Sequence, residues 1–74
     1  MKSLTKEQHE RINRTYADMT SGIPESWWYH RFVIRGQLEI AEMTLEQFGT
    51  PAYNILMATI GFYASTVQKR NNAA

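Results

Sequence analysis

The chain has 74 residues, no Cys, two His and a formal net charge of +1. That length allows one domain, of a size that often needs outside reinforcement to be stable. The absence of Cys excludes a disulfide or a thiolate zinc site, and the near-balanced charge argues against a strongly basic nucleic-acid or membrane-surface footprint.

Hydrophobic residues make up 43% of the chain, too many for disorder, and two Trp, four Tyr and three Phe are a generous aromatic share for this size. The N-terminus runs into Lys2, Lys6 and Glu7 without an apolar secretory core. Together with the lack of Cys, this sets a cytoplasmic location as the expectation.

The pattern predicts an all-α single domain over 1–74, with helices at about 5–21, 24–48 and 51–69. Residues 1–4 and 70–74 are expected to be frayed ends. The first helix starts at Thr5, where Thr5-Lys6-Glu7-Gln8 fits a capping box. Glu7–Arg11 and Glu10–Arg14 are spaced i, i+4, acid before base. Only Ile12, Tyr16 and Met19 form its apolar face, so it reads as a largely solvated peripheral cover. Ser21-Gly22 ends it, with Gly22 suited to a left-handed cap.

The long second helix, Pro24 to Phe48, carries two apolar seams. One is Trp27, Arg31, Ile34, Leu38, Ala41, Leu45 and Phe48; the other is Tyr29, Val33, Gly36, Ile40, Met43 and Gln47. Both follow alternating steps of three and four, the spacing of a packing seam. Two opposite seams imply a helix sandwiched between layers, which a chain this short supplies best through a second copy. Between them run His30, Gln37 and Thr44 on one side, and Arg35, Glu39, Glu42 and Glu46, headed by Trp28 and Phe32, on the other.

Phe48-Gly49-Thr50-Pro51 is the clearest punctuation: Gly49 for a left-handed cap, Thr50 as the next cap, Pro51 in the first turn. So short a link forces an antiparallel αα-hairpin. The third helix presents Tyr53, Leu56, Ile60, Tyr63 and Val67, widened by Met57 and Ala64, with Ile55 and Phe62 opposite and a small strip of Asn54, Ala58, Gly61 and Ser65. No residue from Gln47 to Gln68 is charged, the mark of a helix buried all round. The run is long enough for a membrane span but contains Thr50, Asn54, Thr59, Ser65, Thr66 and Gln68, which favours a buried core helix.

The fold is therefore expected to be completed as a homodimeric helical bundle, with Tyr29, Val33, Gly36, Ile40, Met43, Ile55 and Phe62 in self-association. The long helix carries its bases, Arg31 and Arg35, before its acids, Glu39, Glu42 and Glu46, against the helix dipole. Two antiparallel copies related by a dyad near Leu38 would set bases against acids.

No catalytic motif is present. Glu39-Ile40-Ala41-Glu42 lacks the His of a Glu-x-x-His di-metal motif, His30 stands without a nucleophile, and neither an enzyme activity, a metal nor a cofactor is expected. A helix-turn-helix over Leu45, Gly49 and Ile55 would put Pro51 to Met57 in the groove, where only Asn54 could read a base edge well. The remaining signal is Trp28 and Phe32 beside Arg31 and Arg35, residue types that anchor protein–protein contacts.

The expected function is a small non-enzymatic adaptor or inhibitor that binds another protein. Short, motif-free, Cys-free chains are common among phage and mobile-element accessory proteins, and that base rate suggests a phage-type source. The alternatives are a dimeric nucleic-acid-binding regulator using Arg11, Arg14, Arg31 and Arg35, and a small membrane-associated protein.

Overall fold

The computed structural model describes residues 3–73, and these form three helices: α1 (Lys6–Thr20), α2 (Trp28–Phe48) and α3 (Thr50–Ala73). The described chain is elongated, 39 × 22 × 18 Å. Helix α1 begins with the expected capping box. Thr5 Oγ1 accepts from the Gln8 amide at 3.1 Å, and Gln8 Oε1 accepts from the Thr5 amide at 2.7 Å. Two amides that the first turn would leave orphaned are thereby satisfied.

The exit from α1 differs from expectation. Gly22 does not take a left-handed conformation; Gly49 is the positive-φ residue among those described. The chain leaves through Ser21 in right-handed geometry, and the Ile23 amide closes a turn on the Thr20 carbonyl at 3.0 Å. Residues 24–27 form a turn rather than the first turn of α2, closed by the Trp27 amide on the Pro24 carbonyl at 3.0 Å. The physical reason is tertiary. Ile23 is buried in the core, and Arg31 donates to the Thr20 and Ile23 carbonyls at 3.2 and 2.9 Å, which holds the connection against α2.

A single residue, Gly49, separates α2 from α3. Its φ of 90° and ψ of −177° lie in a region that is essentially open to Gly alone. Its amide caps the Leu45 carbonyl, and its own carbonyl receives the Tyr53 amide, so it closes one helix and opens the next. Thr50 is therefore the first residue of α3 and not its cap. The hairpin is antiparallel, with His30 near the start of α2 meeting Tyr63 in α3 at 2.6 Å.

Helix α3 continues to Ala73, four residues past the expected end. Asn71 donates to the Gly22 carbonyl at 3.1 Å and Gln68 to the Met19 carbonyl at 2.9 Å, tying the last turns to the end of α1. Leu4 packs against the core. Of the residues assigned to the ends, Met1, Lys2 and Ala74 lie outside the described set.

The core joins all three helices: Ile12 from α1, Ile34, Leu38 and Ala41 from α2, Ile60, Ala64 and Val67 from α3, and Ile23 from the connection. The Trp27-to-Phe48 seam is thus the inner one, although Phe48 at its end is exposed. Helix α1 is more than a peripheral cover, because Ile12 and Ile34 are the largest fully buried side chains. Helix α3 is not buried all round. Ile55 and Phe62 are 72% and 76% exposed, and a Cβ placed on Gly61 in the small strip would meet nothing within 4 Å. The uncharged run up to Gln68 reflects an outer surface on these turns that is apolar or polar without being covered by the chain itself.

Candidate interaction site

Helix α1 crosses α2 so that the polar strip of α2 is divided. At its C-terminal part, Glu42 is only 2% exposed and takes two hydrogen bonds from Arg11, Nε to Oε2 at 2.8 Å and Nη2 to Oε1 at 2.5 Å. This fork-on-carboxylate geometry is the strong form of an ion pair. The bond to Glu42, opposed in part by burial, raises the Arg11 pKa above its already high value. A raised pKa in a base means the pairing is fully present below the unfolded value and is lost only at extreme alkalinity. Two expectations are corrected here. Glu42 is not part of a solvated strip and cannot reach bases on a second copy. Arg11 turns to Glu42 of α2 rather than to Glu7, and its side chain stays 39% exposed.

At the N-terminal part of the strip, Arg31 and Arg35 converge on Tyr16 of α1. Their guanidinium carbons stand 5.5 and 5.3 Å from its ring centroid, inside the reach of a cation–π contact. The acceptors given to them are neutral: the Thr20 and Ile23 carbonyls for Arg31, and Asn13 Oδ1 at 2.8 Å for Arg35. The like charges at i, i+4 are thus eased by a shared aromatic ring and by carbonyl oxygens.

Beside this pair the surface opens into a groove of about 490 Å³ lined by Tyr16, Trp28, Arg31, Phe32, Arg35, Gly36 and Glu39. Trp28 and Phe32 form its apolar wall and are 68% and 72% exposed, so α1 does not lie over them. All four residues expected to bind a partner, Trp28, Phe32, Arg31 and Arg35, line this one groove. Tyr16, Gly36 and Glu39 complete it; Glu39 belongs to the strip headed by Trp28 and Phe32, and Gly36 to the self-association seam. The available signal for Tyr16 was the uncompensated Arg31–Arg35 pair, which calls for an electron-rich neighbour from another helix.

Of the residues assigned to self-association, Gly36 lines this same groove and the others lie outside it. Tyr29, Ile40, Met43, Ile55 and Phe62 are exposed, and Val33 and Gly36 are half-buried. A Cβ on Gly36 would meet no atom within 4 Å. A shallow groove of about 220 Å³ runs between α2 and α3 on this side, over Val33, Gln37, Thr59 and Tyr63. The second seam of α2 therefore stands uncovered in the single chain.

Among the described residues there is no group of three or more His, Cys, Asp or Glu able to hold a metal ion. None of the described helices is long and apolar enough to cross a membrane. Compared with known proteins, the chain matches no family model, no curated protein and no solved structure.

Proposed function

We propose that this chain is a small, non-enzymatic protein–protein interaction module of the cytoplasm, an adaptor or inhibitor whose capture surface is the groove between α1 and the first half of α2. The observation that carries this reading is the exposure of Trp28 and Phe32 on the wall of a groove flanked by two arginines without carboxylate partners among the described residues. Solvating two large aromatic side chains forgoes the burial that would stabilise so small a domain. Trp, Tyr and Arg around a pocket are the residue types that dominate binding energy at protein interfaces.

The groove suits a partner segment that presents an apolar side chain beside a carboxylate. The apolar group would sit against Trp28 and Phe32, and the carboxylate would meet Arg31 and Arg35, whose present acceptors are neutral. The nucleic-acid reading is less well supported, because Arg11 is engaged by Glu42 and the four arginines do not form one free cationic patch.

The test is photo-crosslinking from position 28, followed by capture with Trp28→Ala. The proposal expects a discrete crosslinked protein, lost in the variant while its helical circular dichroism is unchanged. Equal capture by wild type and variant would overturn it.

A further inference from the structure

The antiparallel hairpin sets the first turn of α2 beside the last turns of α3. Two shallow grooves of about 320 and 380 Å³ meet there, and both are lined by His30 of α2 and Arg70 of α3. We infer that this junction is a second binding site, for a small molecule that carries a carboxylate on a short chain from an aromatic ring. It goes beyond the capture groove, with which it shares Trp28 alone.

Charge selects the anion. Arg70 is exposed and has no hydrogen bond, ion pair or ring contact among the described residues. No acid lines either groove, and α3 has none along its length. The nearest acid in sequence is Glu25, in the turn before α2. A guanidinium left without a partner in such surroundings favours a carboxylate, whose two oxygens match its fork of N–H donors.

His30 supplies a second donor. Its Nδ1 stands 2.6 Å from the Tyr63 hydroxyl. With Tyr63 donating to Nδ1, the neutral imidazole carries its proton on Nε2. Nε2 has no partner among the described residues, and no buried side-chain nitrogen or oxygen among them is left unpaired, so Nε2 is open to solvent. One guanidinium and one imidazole N–H suit a single carboxylate, whereas a phosphate dianion calls for more positive charge.

Rings select the rest of the ligand. Three aromatic side chains stand about His30, with centroids at 6.0 Å for Trp27, 5.9 Å for Tyr29 and 5.8 Å for Tyr63. Phe62, largely exposed, lines the α3 side. Aromatic walls around a free cation fit a ligand that is apolar at one end and anionic at the other. Small-molecule sites start at about 300 Å³, so each groove has room for one ring.

The experiment is an NMR titration of the full chain with phenylpropionate, and with phenylpropionamide, acetate and inorganic phosphate for comparison. The expected result is saturable binding with a dissociation constant of about 1 mM or tighter. It should shift the Arg70 Nε–H and His30 ring signals and leave the Gly36 amide in place. Arg70→Gln, at an exposed position, should weaken binding about 10-fold or more, and Phe62→Ala about 3-fold or more. Phe32→Ala, on the wall of the capture groove only, should leave it unchanged, so that failure of one site is distinct from failure of the other. The inference is overturned by no saturation up to about 10 mM, by amide, acetate or phosphate binding as tightly as phenylpropionate, by an affinity indifferent to Arg70→Gln, or by shifts centred on Arg35 and Gly36.

Discussion

Glu42 of α2 lies beneath α1 and receives both hydrogen bonds of the Arg11 guanidinium. The pair is asymmetric, with the carboxylate buried and the guanidinium side chain 39% exposed. Removing the exposed partner strands a buried charge, which costs about 3–5 kcal/mol in full burial and, discounted for the open side of Arg11, about 2–4 kcal/mol here. Small domains have on the order of 5 kcal/mol in total. Arg11→Ala should therefore nearly unfold the chain in a urea titration, whereas the double change Arg11→Met with Glu42→Leu should recover most of the loss. Glu42→Lys should destabilise the chain as well, because it places a second cation against Arg11 inside the fold.

Gly49 links the two hairpin helices at a positive φ. A side chain there is strained whatever the space around it. Gly49→Ala should lower stability by about 1–3 kcal/mol, read as a shift of the urea midpoint with an unchanged slope.

Trp27 and Trp28 are neighbours in sequence with opposite surroundings. Trp27 packs against the core, and Trp28 is exposed. In Trp27→Phe the remaining emission should be red-shifted and readily quenched by iodide; in Trp28→Phe it should be bluer and better protected. Trp28→Ala should change stability by no more than about 0.5 kcal/mol. Ile34→Ala, in the core, should cost about 2–5 kcal/mol.

The capping box at Thr5 and Gln8 secures the start of α1, which carries Ile12 and Arg11 to their contacts on the next helix. Thr5→Ala should cost about 1 kcal/mol. Hydrogen exchange should accelerate first in the opening turn of α1, with α3 amides near Ile60 little affected.

Tyr63 holds His30 across the hairpin through a 2.6 Å hydrogen bond. Tyr63→Phe keeps the ring and removes the hydroxyl. It should cost about 1 kcal/mol in urea unfolding and leave the mean helicity unchanged.

Three helices, the capping box and the break at Gly49 were legible in the sequence because each depends on neighbours within four residues. A hydroxyl three residues before an amide, a Gly without a Cβ and a Pro without an N–H act locally, whatever the rest of the chain does. The grouping of Trp28, Phe32, Arg31 and Arg35 was legible for the same reason, since the three- and four-residue steps of two helical turns bring them together. What the periodicity of α2 left open was which seam faces inward, because both repeat with the same spacing. Only the packing of Ile12, Ile60 and Val67 against Ile34 and Leu38 decided it. The tertiary structure also decided that Glu42 belongs to Arg11, that Tyr16 underlies both remaining arginines, and that the connection at 24–27 turns instead of coiling. Each of these sets a local preference worth a few tenths of a kcal/mol against a buried contact worth several times more, and the long-range contact prevails.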